Sequence, residues 1–262
     1  VVNFFYFVAQ EVRSLLAHLG YRSLSEIIGR ADLLSRRAEA TLTKTNGIDL
    51  RVLTELPDTR SDRSWLNHTS DPHSNGPVLD DEFLANPAIQ AAIADQTTVE
   101  HQQAIVNTDR SLGARVAGAI AQRYGDSGFG GHLHFQLTGA GGQSFGAFNV
   151  NGVTLDLIGE ANDYVGKGMN GGEIIIRPPV IARFDPSQNA IVGNTCLYGA
   201  TGGTLYAAGR AGERFGVRNS RGQAVIEGAG DHCCEYMTGG VIIVLGSTGR
   251  NFGAGMTGGL AY

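Results

Sequence analysis

The N-terminal part of the chain has a helical pattern of apolar residues. Apolar positions recur at steps of three and four up to Leu19, which predicts an amphipathic helix with one apolar face. Gly20 is a good helix terminator, and Ser23 with Glu26 matches the capping-box pattern that opens a second, short helix. Residues 1–34 offer few partners for this face, so they are interpreted as the terminal helices of a domain whose remainder is missing. The face comprises Phe5, Val8, Ala9, Val12, Leu15, Leu16 and Leu19.

The following stretch, residues 35–124, is polar and turn-rich, which predicts a connector with short helices. Residues 83–94 predict one helix, and Thr108 or Asp109 is expected to cap another that runs to about Tyr124. The strongest turn signals are Asn46-Gly47, Asp71-Pro72 and Asn75-Gly76.

From Gly131 onward the pattern is periodic in glycine and in short apolar runs. The spacing Gly-x6-Gly-x5-Gly occurs four times, and an apolar run that is typical of a β-strand follows the last glycine each time. We interpret these glycines as corners at which the chain needs a positive φ or a close backbone approach. The twelve corner glycines are Gly139, Gly146, Gly152, Gly159, Gly166, Gly172, Gly209, Gly216, Gly222, Gly246, Gly253 and Gly259.

The length of the repeat indicates the architecture. The final glycines fall at positions 152, 172, 203, 222, 240 and 259, so the steps are 20, 31, 19, 18 and 19 residues, and residues 177–190 form an insertion in the long step. A strand-rich repeat near nineteen residues is too short for a propeller blade and fits one coil of a stacked solenoid. The predicted fold is therefore mainly β: a right-handed parallel β-helix of about seven coils over residues 125–262, preceded by helices and an irregular connector.

One glycine cluster also resembles a nucleotide-binding loop. Gly166, Gly168 and Gly171 have GxGxxG spacing, but the β-branched run Glu173–Ile176 follows where a dinucleotide site requires a helix. The same spacing returns at Gly253, Gly255 and Gly258. Repetition favours structural corners over a cofactor loop.

The strand runs predict an apolar stripe on the outside of the coils. The residue three after each final glycine is apolar, and its neighbours are mostly apolar too, although neighbours on a strand face opposite ways. One set is expected to line the interior and the other to pack against residues 35–124 or against another domain. The positions are Leu155, Ile175, Tyr206, Val225, Ile243 and Tyr262.

Composition excludes several classes of function. The formal net charge is −5, which gives no basic footprint for nucleic acid or an anionic membrane, and no apolar run is long enough to span a bilayer. Three cysteines without a CxxC pair favour a reducing, intracellular compartment. Glycine is abundant, at 38 residues, of which six precede Gly125; this shift marks a domain boundary.

The candidate chemical groups do not form a recognisable site. His132 and His134 point to one face of a strand, but no third metal ligand lies at a useful spacing. The run Asp231–Glu235, which contains Cys233 and Cys234, is interpreted as a polar corner, because the side chains of an extended run would not converge. Lys167 would suit a phosphate, but Ala254 replaces it in the second copy. Asp156, Asp163 and Glu173 form no acid–base pair, and no catalytic, cofactor-binding or metal-binding residue is predicted.

Several long blocks resemble one family. The runs ANDYVGKGMNGGEIIIRPP, GNTCLYGATGG, AGERFGVRNS, GDHCCEYMTGG and NFGAGMTGGLAY are similar to the C-terminal glycine-repeat domain of the glutamate synthase large chain. The run NFFYFVAQEVRSLLAHLGYRSLSEIIGRADLL resembles the last helices of that family's FMN-binding synthase barrel, and NTDRSLGARVAGAIAQRYG resembles the entry to its β-helix. HSNGPVLDD and DHCCEYMTGG resemble the ferredoxin-dependent type.

This resemblance implies a scaffold within a larger enzyme. The whole enzyme of that family makes two glutamates from glutamine and 2-oxoglutarate, and uses an amidotransferase domain, an FMN domain and a 3Fe-4S cluster. The expected role is structural: bracing the amidotransferase and FMN domains of the same polypeptide, with ferredoxin as a partner of the whole enzyme, in the cytoplasm or the plastid stroma. None of the family's catalytic, FMN or cluster residues maps onto this sequence, so no cofactor is expected to bind this stretch alone.

Two other classes of function compete with this interpretation. An autonomous β-helix subunit could assist the assembly of another oxidoreductase complex, and a nucleotide-binding enzyme could use the GxGxxG runs. The N-terminal helix favours the first interpretation, because an independent subunit has little use for another domain's last helix.

Overall fold

The computed structural model describes residues 1–35, 47–55, 76–125 and 127–262. The chain divides into two compact units, Val1–Ser74 and Asn75–Tyr262. Each unit is described by itself below. Most of the predicted turn signals, at 46, 71–72 and 75, lie outside the described residues.

The first unit contains helices. Helix α1 spans Val2–Leu19 and ends at Gly20, which has a φ of 82° as the sequence predicts. The predicted second helix is shorter than expected: a 3-10 turn, Leu24–Glu26, in which Ser23 Oγ donates to Glu26 Oε1 (3.2 Å) instead of capping the helix. A second 3-10 turn, Ala31–Leu33, and helix α2, Arg51–Thr54, follow.

The predicted face of α1 is largely uncovered. Among the seven residues of that face only Leu16 is buried, and Phe4, Phe5, Tyr6 and Phe7 are all exposed. Four consecutive aromatic residues cover every side of a helix, which is typical of a helix that is enclosed on all sides.

The second unit begins with helices that differ from those predicted. Instead of one helix over 83–94, α3 spans Leu79–Ala85 and α4 spans Pro87–Asp95. The break occurs because Pro87 cannot continue α3 and the Asn86 side chain caps α4 by accepting from Ala88 N. Helix α5, Ala114–Tyr124, begins after Gly113 and not at Thr108 or Asp109.

Nine strands among the described residues form a single sheet in which every pairing is parallel. The strand order is β1-β2-β3-β4-β6-β7-β8-β9, with β5 paired to β3 and β6, so nearly every strand lies beside its predecessor in the chain. The strands are β1 Thr98–Ile105, β2 His132–Gly141, β3 Val153–Ala161, β4 Asn170–Arg177, β5 Ala190–Val192, β6 Gly202–Ala211, β7 Gln223–Gly228, β8 Thr238–Val244 and β9 Gly258–Ala261. The prediction of a mainly β chain with a few helices is confirmed.

One face of the sheet forms the core. Residues that alternate along each strand are buried on this face, and partners of one row stack from strand to strand. Helices α3, α4 and α5 contribute Phe83, Ile89 and Ile120 to the same core. The central row is Phe135, Leu155, Ile174, Leu205, Ala224 and Ile242.

The register corrects one position of the predicted outer stripe. Leu155 pairs with Ile174, not with Ile175, and it is fully buried. The sequence count was wrong by one here because Thr154, two residues after Gly152, pairs with Glu173, one residue after Gly172. The outer row is Asp156, Ile175, Tyr206, Val225 and Ile243, and Tyr206 is exposed.

No helix in the described part of the chain combines the length and the apolar character that a transmembrane span needs.

Candidate functional site

The glycine-rich turns between the strands share one backbone conformation. Each of six turns has left-handed residues at three alternate positions, with φ between 56° and 68°. Only some of these residues are glycine: Leu197 and Cys234 occupy the central position of two turns. The eighteen positions are 144, 146, 148, 164, 166, 168, 195, 197, 199, 214, 216, 218, 232, 234, 236, 251, 253 and 255.

This alternation lets each turn hydrogen-bond to both neighbouring turns. In the second turn, Tyr164 N donates to Asn194 O (2.9 Å) and Gly168 N donates to Tyr198 O (2.8 Å), both in the turn that follows. Gly166 N, between them, donates to Phe145 O (2.9 Å) in the turn before. The pattern repeats from turn to turn, so the turns form a second parallel ladder beside the sheet.

The hydrogen bonds of the turn ladder bear on whether the GxGxxG run can bind a nucleotide phosphate. A nucleotide loop presents free N–H groups to phosphate at the start of a helix. Here the N–H groups of Gly166 and Gly168 already donate to other turns, and the run leads into strand β4. The Lys167 ammonium lies 5.4 Å from the centre of the Tyr164 ring, in cation–π contact.

The twelve glycines proposed as corners occupy three types of position in the structure. The first of each set lies within or just after a strand, the second lies in a turn, and the third lies next to or inside the start of a strand. At Gly159 the backbone of the neighbouring strand is so close that a Cβ would overlap Gly139 O. Ten of the twelve have a positive φ, and Gly222 and Gly246 do not.

A row of polar side chains closes the start of several turns. Asp163 Oδ1 accepts from Asn194 N (2.7 Å), and Asn194 Oδ1 accepts from Glu213 N (2.8 Å). Asp231 Oδ1 likewise accepts from Arg250 N (2.8 Å), and its other oxygen accepts from the Arg250 guanidinium. These hydrogen bonds lower the pKa of Asp231. These side chains tie three of the turns to the turn that follows.

The run Asp231–Glu235 forms a turn, as its interpretation as a polar corner predicts. His232 and Cys234 are left-handed, and His232 Nδ1 lies 3.4 Å from Glu235 Oε1. Glu235 also accepts from Arg214 (3.3 Å), in the preceding turn. The polar members of the run therefore bind residues of the ladder.

All three cysteines are buried and reduced. The Sγ atoms of Cys233 and Cys234 lie 3.6 Å apart. Burial raises the pKa of Cys196 to about 12. The hydrogen bond with the Cys234 thiol is the largest cause that raises the pKa of Cys233, and burial raises it further. Because the thiolate is the nucleophile and the metal ligand, the raised pKa makes Cys196 and Cys233 poorly reactive.

His132 and His134, the two histidines considered as metal ligands, lie side by side on the outer face of β2. Their rings are stacked with centroids 6.1 Å apart. His132 Nε2 lies 2.9 Å from Thr154 Oγ1, and His134 Nδ1 lies 3.9 Å from Glu100 Oε1. Among the described residues no group of three or more His, Cys, Asp or Glu side chains could hold a metal ion.

A polar cleft of about 770 Å³ lies beside α5. Asp80 lies at the buried end of the cleft. Its carboxylate accepts hydrogen bonds from Gly113 N and Arg115 N (both 2.8 Å) and a weaker one from Val116 N. Burial raises the pKa of Asp80, although these N–H groups act in the opposite direction. Asp80 therefore caps a helix from 33 residues away, a role that local sequence reading missed.

A second cavity is apolar, with a volume of about 670 Å³. It crosses the carboxyl ends of β1, β2 and β3, and the insertion after β4 forms its wall. We call it the insertion groove. Its lining includes Ile105, Val106, Ile158, Pro178, Phe184 and Ile191.

The repeated turns lie within the region that a family model matches. A family model described as "GXGXG motif" matches residues 80–262, more than half of the chain. The chain belongs to the GXGXG family. The match includes α3, α4, β1 and α5 as well as the repeated turns.

Curated relatives of this GXGXG chain are much longer proteins. It is 68% identical over all 262 residues to "Ferredoxin-dependent glutamate synthase 2" of Synechocystis sp., of which it covers 17%. It is 55% identical, again over its whole length, to "Ferredoxin-dependent glutamate synthase 1, chloroplastic/mitochondrial" of Arabidopsis thaliana and 56% identical to the chloroplastic enzyme of Oryza sativa, and it covers 16% of each. The chain thus spans about one sixth of the length of the relatives it matches.

The cysteines of this GXGXG chain do not fit an iron–sulfur cluster. Such clusters are held by several cysteine thiolates that converge on the iron atoms. Here Cys196 belongs to a different turn from Cys233 and Cys234, and burial keeps the Cys196 thiol protonated. The turn N–H groups that would receive a flavin phosphate already donate to neighbouring turns.

Proposed function

We propose that this chain is the glycine-repeat region of a ferredoxin-dependent glutamate synthase and that it acts as a structural scaffold. The observation that carries the proposal is the 68% identity, over all 262 residues, to a protein with that name. The described residues support a structural role, because the backbone N–H groups of the turns donate to neighbouring turns and polar side chains such as Asp163 and Asn194 accept from the turn that follows.

We infer that the sheet and the turn ladder together form a right-handed parallel β-helix of about seven coils. Sequential parallel strands and turns that bond to both neighbouring turns support stacked coils. The right hand follows from the strong preference of parallel strand connections for that hand. The corner glycines, among them Gly172 and Gly259, would keep the coils in register.

The scaffold would brace the amidotransferase and FMN domains of the same polypeptide. The whole polypeptide would make two glutamates from glutamine and 2-oxoglutarate, with FMN and a 3Fe-4S cluster held by other regions and electrons from ferredoxin. Helix α1 supports this arrangement. The exposed aromatic residues Phe4–Phe7 surround the helix, which is typical of a helix enclosed by another part of the protein, here the FMN domain. We place the enzyme in the cytoplasm, or in the plastid stroma of a photosynthetic eukaryote.

A second candidate is an autonomous β-helix subunit that assembles with another oxidoreductase. The compact unit Asn75–Tyr262, which has its own apolar core, supports this alternative. The uncovered α1 is evidence against it.

Activity of the complete gene product tests the proposal. The purified full polypeptide should form glutamate from glutamine and 2-oxoglutarate with reduced ferredoxin, and more slowly with NADPH. Residues 1–262 alone should bind neither FMN nor NAD(P)H, as measured by flavin fluorescence and equilibrium dialysis. A complete product without glutamate synthesis, or one-to-one micromolar FMN binding by the 262-residue chain, would contradict the proposal.

A further inference from the structure

The insertion between β4 and β5 carries unusually exposed apolar side chains. Val180 is 104% exposed and Ile181 is 87% exposed, relative to their fully accessible states. Phe184, at the wall of the insertion groove, is 48% exposed. Apolar residues that cluster in this way on a surface usually mark an interface.

The sheet does not need these side chains. Strand β4 pairs directly with β6, from Glu173↔Thr204 to Ile176↔Ala207, so the ladder is continuous without the inserted segment. The short β5 then returns the chain to the stack beside β3 and β6. Val180 and Ile181, which we call the insertion tip, therefore contribute nothing to the core of this unit.

The groove next to the tip continues the apolar surface. Val106 is 59% exposed and Ile158 is also exposed, while Ile105 and Ile191 are buried beneath them. Among the lining residues Glu160 is the single charged one. A partner that fills the groove must therefore present apolar side chains.

We propose that the insertion tip and the insertion groove form a docking site for another domain of the same polypeptide. This inference rests on the proposed function and deepens it by assigning the contact surface. The relatives are about six times longer than this chain, so most of the polypeptide lies outside it. Tethering in one polypeptide raises the effective concentration of such a domain, which favours it over a second copy of the chain.

Photo-crosslinking of the full-length polypeptide tests the site. With Phe184→p-benzoylphenylalanine, illumination should join this position to a peptide outside residues 1–262 of the same chain, with no increase in mass on a denaturing gel. A product of doubled mass would mean that a second copy fills the groove and would overturn the proposal, as would the absence of any cross-link outside residues 1–262.

A second probe separates this inference from the proposed function. Tyr206→p-benzoylphenylalanine places the same group on the exposed outer face of β6. If Tyr206 cross-links to other domains and Phe184 does not, the docking site is wrong and the scaffold role stands. If neither position does, both proposals fail.

Matched variants of the tip provide the chemical control. Val180→Asp with Ile181→Asp should reduce the Phe184 cross-link at least tenfold, because two charges would enter an apolar contact. Val180→Leu with Ile181→Leu keeps the tip apolar and should retain the cross-link. Equal yields in both pairs would show that the tip takes no part in docking.

Discussion

At the scale of single residues, the left-handed backbone region sets the shape of every turn. This conformation costs an ordinary residue about 1–2 kcal/mol, and yet Leu197 and Cys234 adopt it. The cost is offset because each such residue directs an N–H group to a neighbouring turn. The glycine spacing identified the four turns that have glycine at the centre but not these two, since the constraint lies in the stacked partner and not in the residue itself.

A side chain at Gly172 is disfavoured for two reasons at once. Its φ is +72°, and a Cβ would overlap Val150 O and Val153 O. We expect Gly172→Ala to destabilise the fold by about 2–4 kcal/mol, measured by urea unfolding.

Gly118 offers the matched control for this substitution. It lies within α5, a Cβ there would meet no atom within 4 Å, and its φ is not positive. Gly118→Ala should therefore stabilise the protein by about 0.5–1 kcal/mol. If both variants shift the free energy of unfolding in the same direction, the explanation for Gly172 is wrong.

The buried thiol of Cys196 should make stability fall at high pH. Its pKa is about 12 in the folded state against 9.0 ordinarily, so the unfolded state ionises first. The stabilisation is complete below pH 9 and is lost as the pH rises towards 12, at about 1.4 kcal/mol per pH unit. Urea unfolding between pH 8 and pH 10.5 measures the slope.

The control for Cys196 is a variant that cannot ionise. Cys196→Ala should cost packing energy at every pH, but its free energy of unfolding should fall less steeply above pH 9 than that of the parent. Identical slopes for the two proteins would contradict the role of this thiol.

At the scale of elements, one carboxylate joins α3 to the start of α5. Asp80 lies in the first turn of α3 and accepts N–H groups at the amino end of α5. Asp80→Ala should cost about 2–3 kcal/mol in the free energy of unfolding, because the buried N–H groups lose their acceptor.

The adjacent carboxylate is the natural comparison for Asp80. Asp81 forms an exposed ion pair with Arg115, so Asp81→Ala should change the free energy of unfolding by no more than about 0.5 kcal/mol. Thermal melts of both variants decide the point, and similar losses would remove the special status of Asp80.

Local signals predicted some elements and missed others. The end of α1 at Gly20 followed from the terminator alone. Strand β1 was missed, since its alternating run TVEHQQAI is polar on the outer face and is recognised only when β2 pairs with it. The break before α4 was also missed, although Pro87 was the available signal.

At the scale of the whole molecule, periodicity predicted the parallel stacking and the apolar core but not the exact register. The shift at Gly152, which buries Leu155, depends on how two turns align in space. The candidate site was harder still to predict. The insertion groove combines the ends of three strands with an inserted segment, and no local motif announces such a combination.

The outer face of the sheet changes character along the stack. At the β1–β3 end it carries Gln102, hydrogen-bonded to Gln136, and Asp156, ion-paired with Arg177. Further along, the same row becomes apolar, with Ile175, Val225 and Ile243. The polar half suits contact with water. That the apolar half packs against residues 35–124 or against another domain stays a prediction.

The direct pairing of β4 with β6 has a consequence for how this chain can vary in length. From Tyr164 to Thr195 the repeat takes 31 residues where the next takes 19, and the coils still stack. Closing the longer loop costs only about 0.4 kcal/mol of additional chain entropy, since that cost rises with the logarithm of loop length. The closure cost of a dozen additional residues is therefore smaller than the loss of stability expected for Gly172→Ala. Residues can be added to the bends between strands, while the spacing inside each turn stays fixed.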